Sequence, residues 1–183
     1  MDYYVAFYRG HGTMADKVVR YATRSPFSHC ELILSDKRPR IGDTVRCISA
    51  SARDNGVRIK DITLKHGKWK IYAVPWAPPE TWDRAEALVG KPYELWAMIL
   101  SQLVNFRRHA RNQWYCSEMI AHSLGLSMPH AKSPGDLLRS IHDHCQTWAR
   151  ARNSVAQLRP VAGDDDDLVV DCADDEEMNP TFG

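Results

Sequence analysis

No two of the five cysteines (Cys30, Cys47, Cys116, Cys145, Cys172) form a Cys-x-x-Cys pair, and their odd number argues for free thiols in a reducing compartment over a disulfide framework. No run approaches the roughly 18 to 20 apolar residues of a membrane span; the longest, residues 95–104, is interrupted by Ser101 and Gln102. A secretory leader is not expected, because Asp2 comes first and the apolar stretch 3–8 is too short for a signal-peptide core. There is no phosphate-cradling glycine loop, since Gly10-His11-Gly12 reads as a turn. The four aspartates at 164–167 lack the alternation and the glycine of a calcium loop and read as solvated charge. No internal repeat is visible.

What is present is enough for one domain of ordinary size: 183 residues, 44% hydrophobic, with a core that needs neither disulfide nor metal. The net charge of +1 conceals an asymmetry. Residues 164–183 carry nine acids and no Lys or Arg, so residues 1–163 hold all 24 basic groups against 14 acids and stand near +10. Such a body favours an anionic partner: nucleic acid, a polyanionic envelope, an acidic protein surface or its own tail. The expected organisation is a domain over 1–163 and an acidic tail over 164–183, disordered or loosely docked. The tail reads either as a solubilising segment or as one that folds back on the body or binds a partner.

Alternation and β-branched content predict strands over 3–8, 29–34, 44–49, 57–62 and 68–74, with Arg53-Asp54-Asn55-Gly56 as the turn between the third and fourth. Helical spacing predicts helices after Thr13 up to Ser25-Pro26, over 80–89, over 93–106, from Cys116 to Gly125, and from Ser133 to Trp148. The fold class is therefore α+β, with one antiparallel sheet and helices against it.

The candidate chemistry centres on Cys116, in Trp114-Tyr115-Cys116-Ser117-Glu118, where an aromatic approach meets a helix start. The partial positive charge of a helix N-terminus lowers a thiol pKa, and free N–H groups of the first turn can hold an oxyanion. The best base is His29, in a strand-like run that would hold its ring rigidly. His66, His109, His122 and His130 are rivals in principle, but His66 lies in a Gly/Lys loop and His122 is too far along the Cys116 helix. The bland alternatives are a buried inert cysteine and a strand histidine satisfied by backbone. His142-Asp143-His144-Cys145 offers metal-ligand atoms, yet consecutive helical residues point around the axis and do not converge, so no metal is expected. The basic groups Lys37, Arg38, Arg40 and Arg107, Arg108, Arg111 carry no recognised fold signature and read as solvated surface rather than a nucleic-acid interface.

Ser28-His29 on a strand, then Gly90-Lys91-Pro92-Tyr93, then Tyr115-Cys116-Ser117-Glu118 at a helix start resembles the circularly permuted papain-like hydrolases of the NlpC type, the YiiX-like group in particular. Unpermuted relatives place the histidine strand after the cysteine; here it comes first. The stretch 49–58, Ser-Ala-Ser-Ala-Arg-Asp-Asn-Gly-Val-Arg, also resembles small bacteriophage-encoded members of that group. The resemblance covers about residues 3–138. It implies a permuted papain-like fold, Cys116 as nucleophile and His29 as general base, with Tyr93, Tyr115, Ser117 and Ser51 lining the substrate site. The backbone N–H of Cys116 would supply part of the oxyanion hole. The third group, which orients the imidazole, stays open between Ser49 or Ser51 on the next strand and Glu31, which shares a strand face with His29.

The expectation is a cofactor-free cysteine hydrolase that cleaves a peptide or acyl-amide bond, with cell-wall peptide a candidate substrate, through a thioester, acting in a host cytoplasm or from a phage virion. An acyltransferase or esterase would use the same nucleophile. A structural or binding protein of a phage particle, docking an anionic partner, is the alternative from another class, and an inhibitor using the acidic tail as a nucleic-acid mimic is a third.

Overall fold

The computed structural model describes residues 1–10, 14–92, 114–155 and 169–170. The expected helix over 93–106, with Tyr93, lies outside the described residues, as does most of the acidic tail.

Five strands follow one another in the first half of the chain: β1 Asp2–Tyr8, β2 His29–Ser35, β3 Thr44–Ser51, β4 Gly56–Thr63 and β5 Trp69–Ala73. All pair antiparallel, in the spatial order β4-β3-β2-β1-β5. A two-residue strand, β6 Val169–Val170, adds to β5 in parallel, opposite Ile71 and Tyr72, so the sheet is not purely antiparallel. The centre of β1 is buried on both faces, which is why its sequence is a continuous apolar run. Val5 and Phe7 join one apolar cluster, Tyr4 and Ala6 the other.

The first of those clusters is closed by the second, third and fourth of four helices. Helix α1, Met14–Thr23, follows β1; α2 is Thr81–Glu86; α3 is Cys116–Ser123; a 3-10 turn runs Pro129–Ala131; and α4 is Pro134–Val155. Two helices depart from expectation. The predicted helix over 80–89 is only six residues of α-helix, because the amides of Leu88 and Val89 bond to carbonyls three residues back, tightening the end into turns. Helix α4 runs seven residues past Trp148, since Ala149 to Val155 contains no glycine or proline to stop it.

Helix α3 is the hub. Every residue from Cys116 to Ser123 except His122 is buried, and the helix packs on β2, β3, α2, α4 and the 3-10 turn. Met119 and Ile120 lose all solvent contact beside Leu32, Ile48, Leu137 and Ile141. Each such side chain contributes about 1.5–3 kcal/mol on burial, so the register of α3 on the sheet is strongly held.

One segment fixes where α3 begins. The Gly90 amide bonds to the Val57 carbonyl and the Val57 amide to the Lys91 carbonyl, both at 2.9 Å, while the Trp114 amide bonds to the Pro92 carbonyl at 3.0 Å. The strip 90–92 thus docks beside the start of β4 and hands the chain to α3. Gly56 permits it: a Cβ there would lie 2.5 Å from the Lys91 carbonyl oxygen.

Candidate active site

Residue Tyr115 is extended and caps α3 without a side-chain hydrogen bond, and Cys116 opens the helix at its positive end. The Cys116 side chain points at the start of β2. Its electrostatic neighbours there are Cys30 and the His29 ring. The polar influence of Cys30, then the charge of His29, outweighs burial and holds the Cys116 thiol well below the ordinary range. Only 1% of Cys116 is exposed.

His29 Nε2 lies 2.8 Å from Glu31 Oε1, which leaves Nδ1 as the ring nitrogen available to the thiol. Burial by itself would lower the His29 pKa, but the charges of Glu31 and Cys116 and the bonds to both raise it to about 10. The two shifts favour a thiolate on Cys116 and an imidazolium on His29. Glu31, 1% exposed, is held in turn by Arg58, with Nη1 at 2.7 Å from Oε2 and Nη2 at 2.5 Å from Oε1. Burial pushes this carboxyl up, yet the Arg58 hydrogen bonds, then His29, bring it down to about 2. Arg58 also donates from Nε to Asp54 Oδ2 at 2.9 Å.

Among the alternatives for the group beside His29, Glu31 is the one whose side chain meets the ring. Ser49 donates instead to the Cys30 carbonyl at 2.6 Å. Ser51 bonds Asp54 and lines a neighbouring cavity. Tyr115 donates to the His130 carbonyl, and Ser117 to the Lys132 carbonyl at 2.7 Å, so both tie the start of α3 to the 129–132 turn. Tyr93 lies outside the described residues. His66 is exposed, and His122 packs its ring against Trp114; His109 is outside the described residues.

The cavity, about 330 Å³, opens on the Glu31 side of His29. Tyr8, Val19, Ile62 and Trp69 supply apolar wall, Arg53, Asp54 and Lys60 a charged one. Cys116 is not part of its lining. Ser28 is, and its buried hydroxyl has no hydrogen-bond partner among the described residues.

Three contributors escaped the sequence reading: Arg58, Cys30 and the Ser28 hydroxyl. A signal for Arg58 existed, because closing the hairpin at 53–56 pairs Ser49 with Arg58. The expectation of free thiols holds for Cys30, Cys47 and Cys116 but is corrected at Cys145, which is disulfide-bonded. Sequence spacing carries no information on which Cβ atoms come within bridging distance. Among the described residues no three metal-ligating side chains converge, and no helix is long and apolar enough to cross a membrane. No protein-family model matches the chain, and no curated protein matches it in sequence.

Proposed function

We propose that this chain is a cysteine hydrolase of circularly permuted papain-like architecture, cleaving a peptide or acyl-amide bond through a thioester on Cys116. The observation that carries the reading is the ordered line Cys116, His29, Glu31, in which a depressed thiol at a helix start faces an imidazole held by a buried carboxylate. In this reading the Cys116 thiolate attacks the carbonyl carbon and the Cys116 N–H at the helix start stabilises the oxyanion. His29 protonates the leaving amine, expelling it and leaving the acyl group on sulfur. The neutral imidazole then takes a proton from water, whose oxygen attacks the thioester and releases the acid and the thiolate. Glu31 holds the ring in one tautomer throughout.

A competing reading, that the basic body is a binding module of a phage particle, draws on the near-complete enclosure of Cys116. One experiment separates them. Iodoacetamide labelling of each cysteine across pH 4 to 9, read by peptide mass spectrometry, is expected to find Cys116 reacting fast below neutral pH and losing that reactivity in His29→Ala. A Cys116 that reacts like a free thiol, with a midpoint near 8.5 as a rough reference, overturns the hydrolase and leaves salt-sensitive partner binding as the activity to measure. Peptide, amide and ester substrates are then compared in the parent and in Cys116→Ala.

A further inference from the structure

The cavity beside His29 has no part in the bond-breaking steps above. On β2, Cys30 and Leu32 face the apolar cluster that contains α3, whereas Ile33 faces the other cluster, so alternation turns His29 and Glu31 to the sheet face away from α3. There α1, the end of β1, the start of β5 and the β3–β4 turn enclose about 330 Å³, at the small end of the range for small-molecule sites. Val19 and Trp69 are buried in its wall, and Trp69 meets the Tyr8 ring edge-on at 5.1 Å between centroids. Such a surface favours another ring or a branched apolar group. The charges beside it are already paired with one another: Arg53 lies 3.2 Å from Asp16, Lys60 lies 3.0 Å from Asp54, and Arg58 holds both Asp54 and Glu31. A charged ligand would have to break one of these pairs, and a neutral one would not. Ser28, whose hydroxyl has no hydrogen-bond partner among the described residues, adds an uncharged polar group to the lining.

We propose that this cavity receives the leaving group of the substrate, and that the group is an uncharged aromatic or branched apolar side chain. The inference rests on the cysteine-hydrolase reading and names the amine half of its substrate. The acyl carbon stays with the Cys116 sulfur on the α3 side, while the leaving nitrogen takes its proton from His29, whose ring borders the cavity. A side chain carried next to that nitrogen therefore reaches past the ring to the opposite face of the sheet.

Because the reaction runs through the same states in both directions, amine acceptors report on the leaving-group pocket. Attack of the Cys116 thiolate on p-nitrophenyl acetate expels p-nitrophenolate and leaves an acetyl thioester; an amine then attacks that carbonyl, gives a proton to the His29 imidazole and releases the thiolate. The full chain is offered p-nitrophenyl acetate with equal concentrations of L-phenylalaninamide, L-aspartic acid α-amide and L-argininamide, and the N-acetyl products are quantified by mass spectrometry after subtraction of the Cys116→Ala rate. Phenylalaninamide is expected to be acetylated about tenfold faster than either charged amine, a discrimination of the size an apolar pocket supplies. That ratio should collapse in Val19→Trp and in Ile62→Trp, which fill the cavity. The ratio is internal to each sample, so a reduced folded fraction does not change it, and either variant that melts cooperatively serves. An acetyl-enzyme that transfers to all three amines alike or to none, or a preference that survives filling of the cavity, overturns the proposal alone. A parent in which Cys116 is not acetylated overturns the hydrolase reading, and this proposal with it.

Discussion

Arg58 grips the Glu31 carboxylate with both terminal nitrogens, although the two residues are 27 positions apart and on strands separated by β3. Their union makes His29 part of a charge chain that runs from the β3–β4 turn, through Asp54, to the sulfur of Cys116. Every link is a charge-assisted hydrogen bond, and the central carboxylate has almost no solvent to fall back on.

Arg58→Lys is therefore not a conservative change. An ammonium cannot make the two parallel bonds, and one Glu31 oxygen loses its partner. The expected cost is about 2 kcal/mol in urea unfolding, within the range for hydrogen bonds to charged groups, together with an upward shift of the Cys116 labelling midpoint. Unchanged stability and an unchanged midpoint would show that Arg58 does not support Glu31.

Stability should fall on the acid side. Glu31 titrates at about 2 in the fold against an ordinary 4.5, so its contribution is present above pH 4.5 and disappears as pH drops through about 2. At about 1.4 kcal/mol per pH unit this is on the order of 3 kcal/mol. On the alkaline side, His29, raised from 6.5 to about 10, would lose its contribution as pH rises towards 10. Above 6.5 the lowered Cys116 thiol, which binds fewer protons in the fold, opposes this loss. Urea midpoints of the parent from pH 2 to 9 check this: a decline is expected on the acid side, with little change between 6.5 and 9. A steep parent decline that starts at 6.5 would mean that no lowered thiol offsets His29.

Gly56→Ala places a carbon 2.5 Å from the Lys91 carbonyl oxygen, a backbone atom that the Val57 amide also needs. The expected cost is about 1–3 kcal/mol, with slower Cys116 labelling because the 90–92 strip positions the start of α3. Wild-type thermal stability in this variant would show that the strip does not dock there.

Ser28→Ala removes a buried hydroxyl that has no partner among the described residues. Deleting such a group relieves a desolvation penalty, so melting temperature should hold or rise. A loss of more than about 1 kcal/mol would reveal a bond that Ser28 makes in solution.

The five antiparallel strands were legible because their alternation and turns are local, and β2 and β3 begin where their patterns begin. The same logic placed Glu31 on the face of His29. Lengths were less legible: α2 tightens into turns and α4 runs on to Val155, both decided by hydrogen bonding and packing that the pattern does not record. The two-residue β6 was unreadable, since it borrows its order from β5. Within the site, Cys116 and His29 stood out by context, whereas the approach of α3 to β2 is long-range. Arg58 becomes visible once the hairpin is closed on paper, but its grip on a strand two places away requires the assembled sheet.

The order of the elements has a consequence for biosynthesis. All five antiparallel strands leave the ribosome before residue 74, so the sheet, with His29, Glu31 and Arg58 already in register, can assemble while the cysteine helix is still unmade. The thiol then arrives as the last partner and is acidified by docking, not by its own helix alone. A nascent or truncated chain therefore carries an ordinary, sluggish cysteine, and full reactivity is withheld until the domain closes.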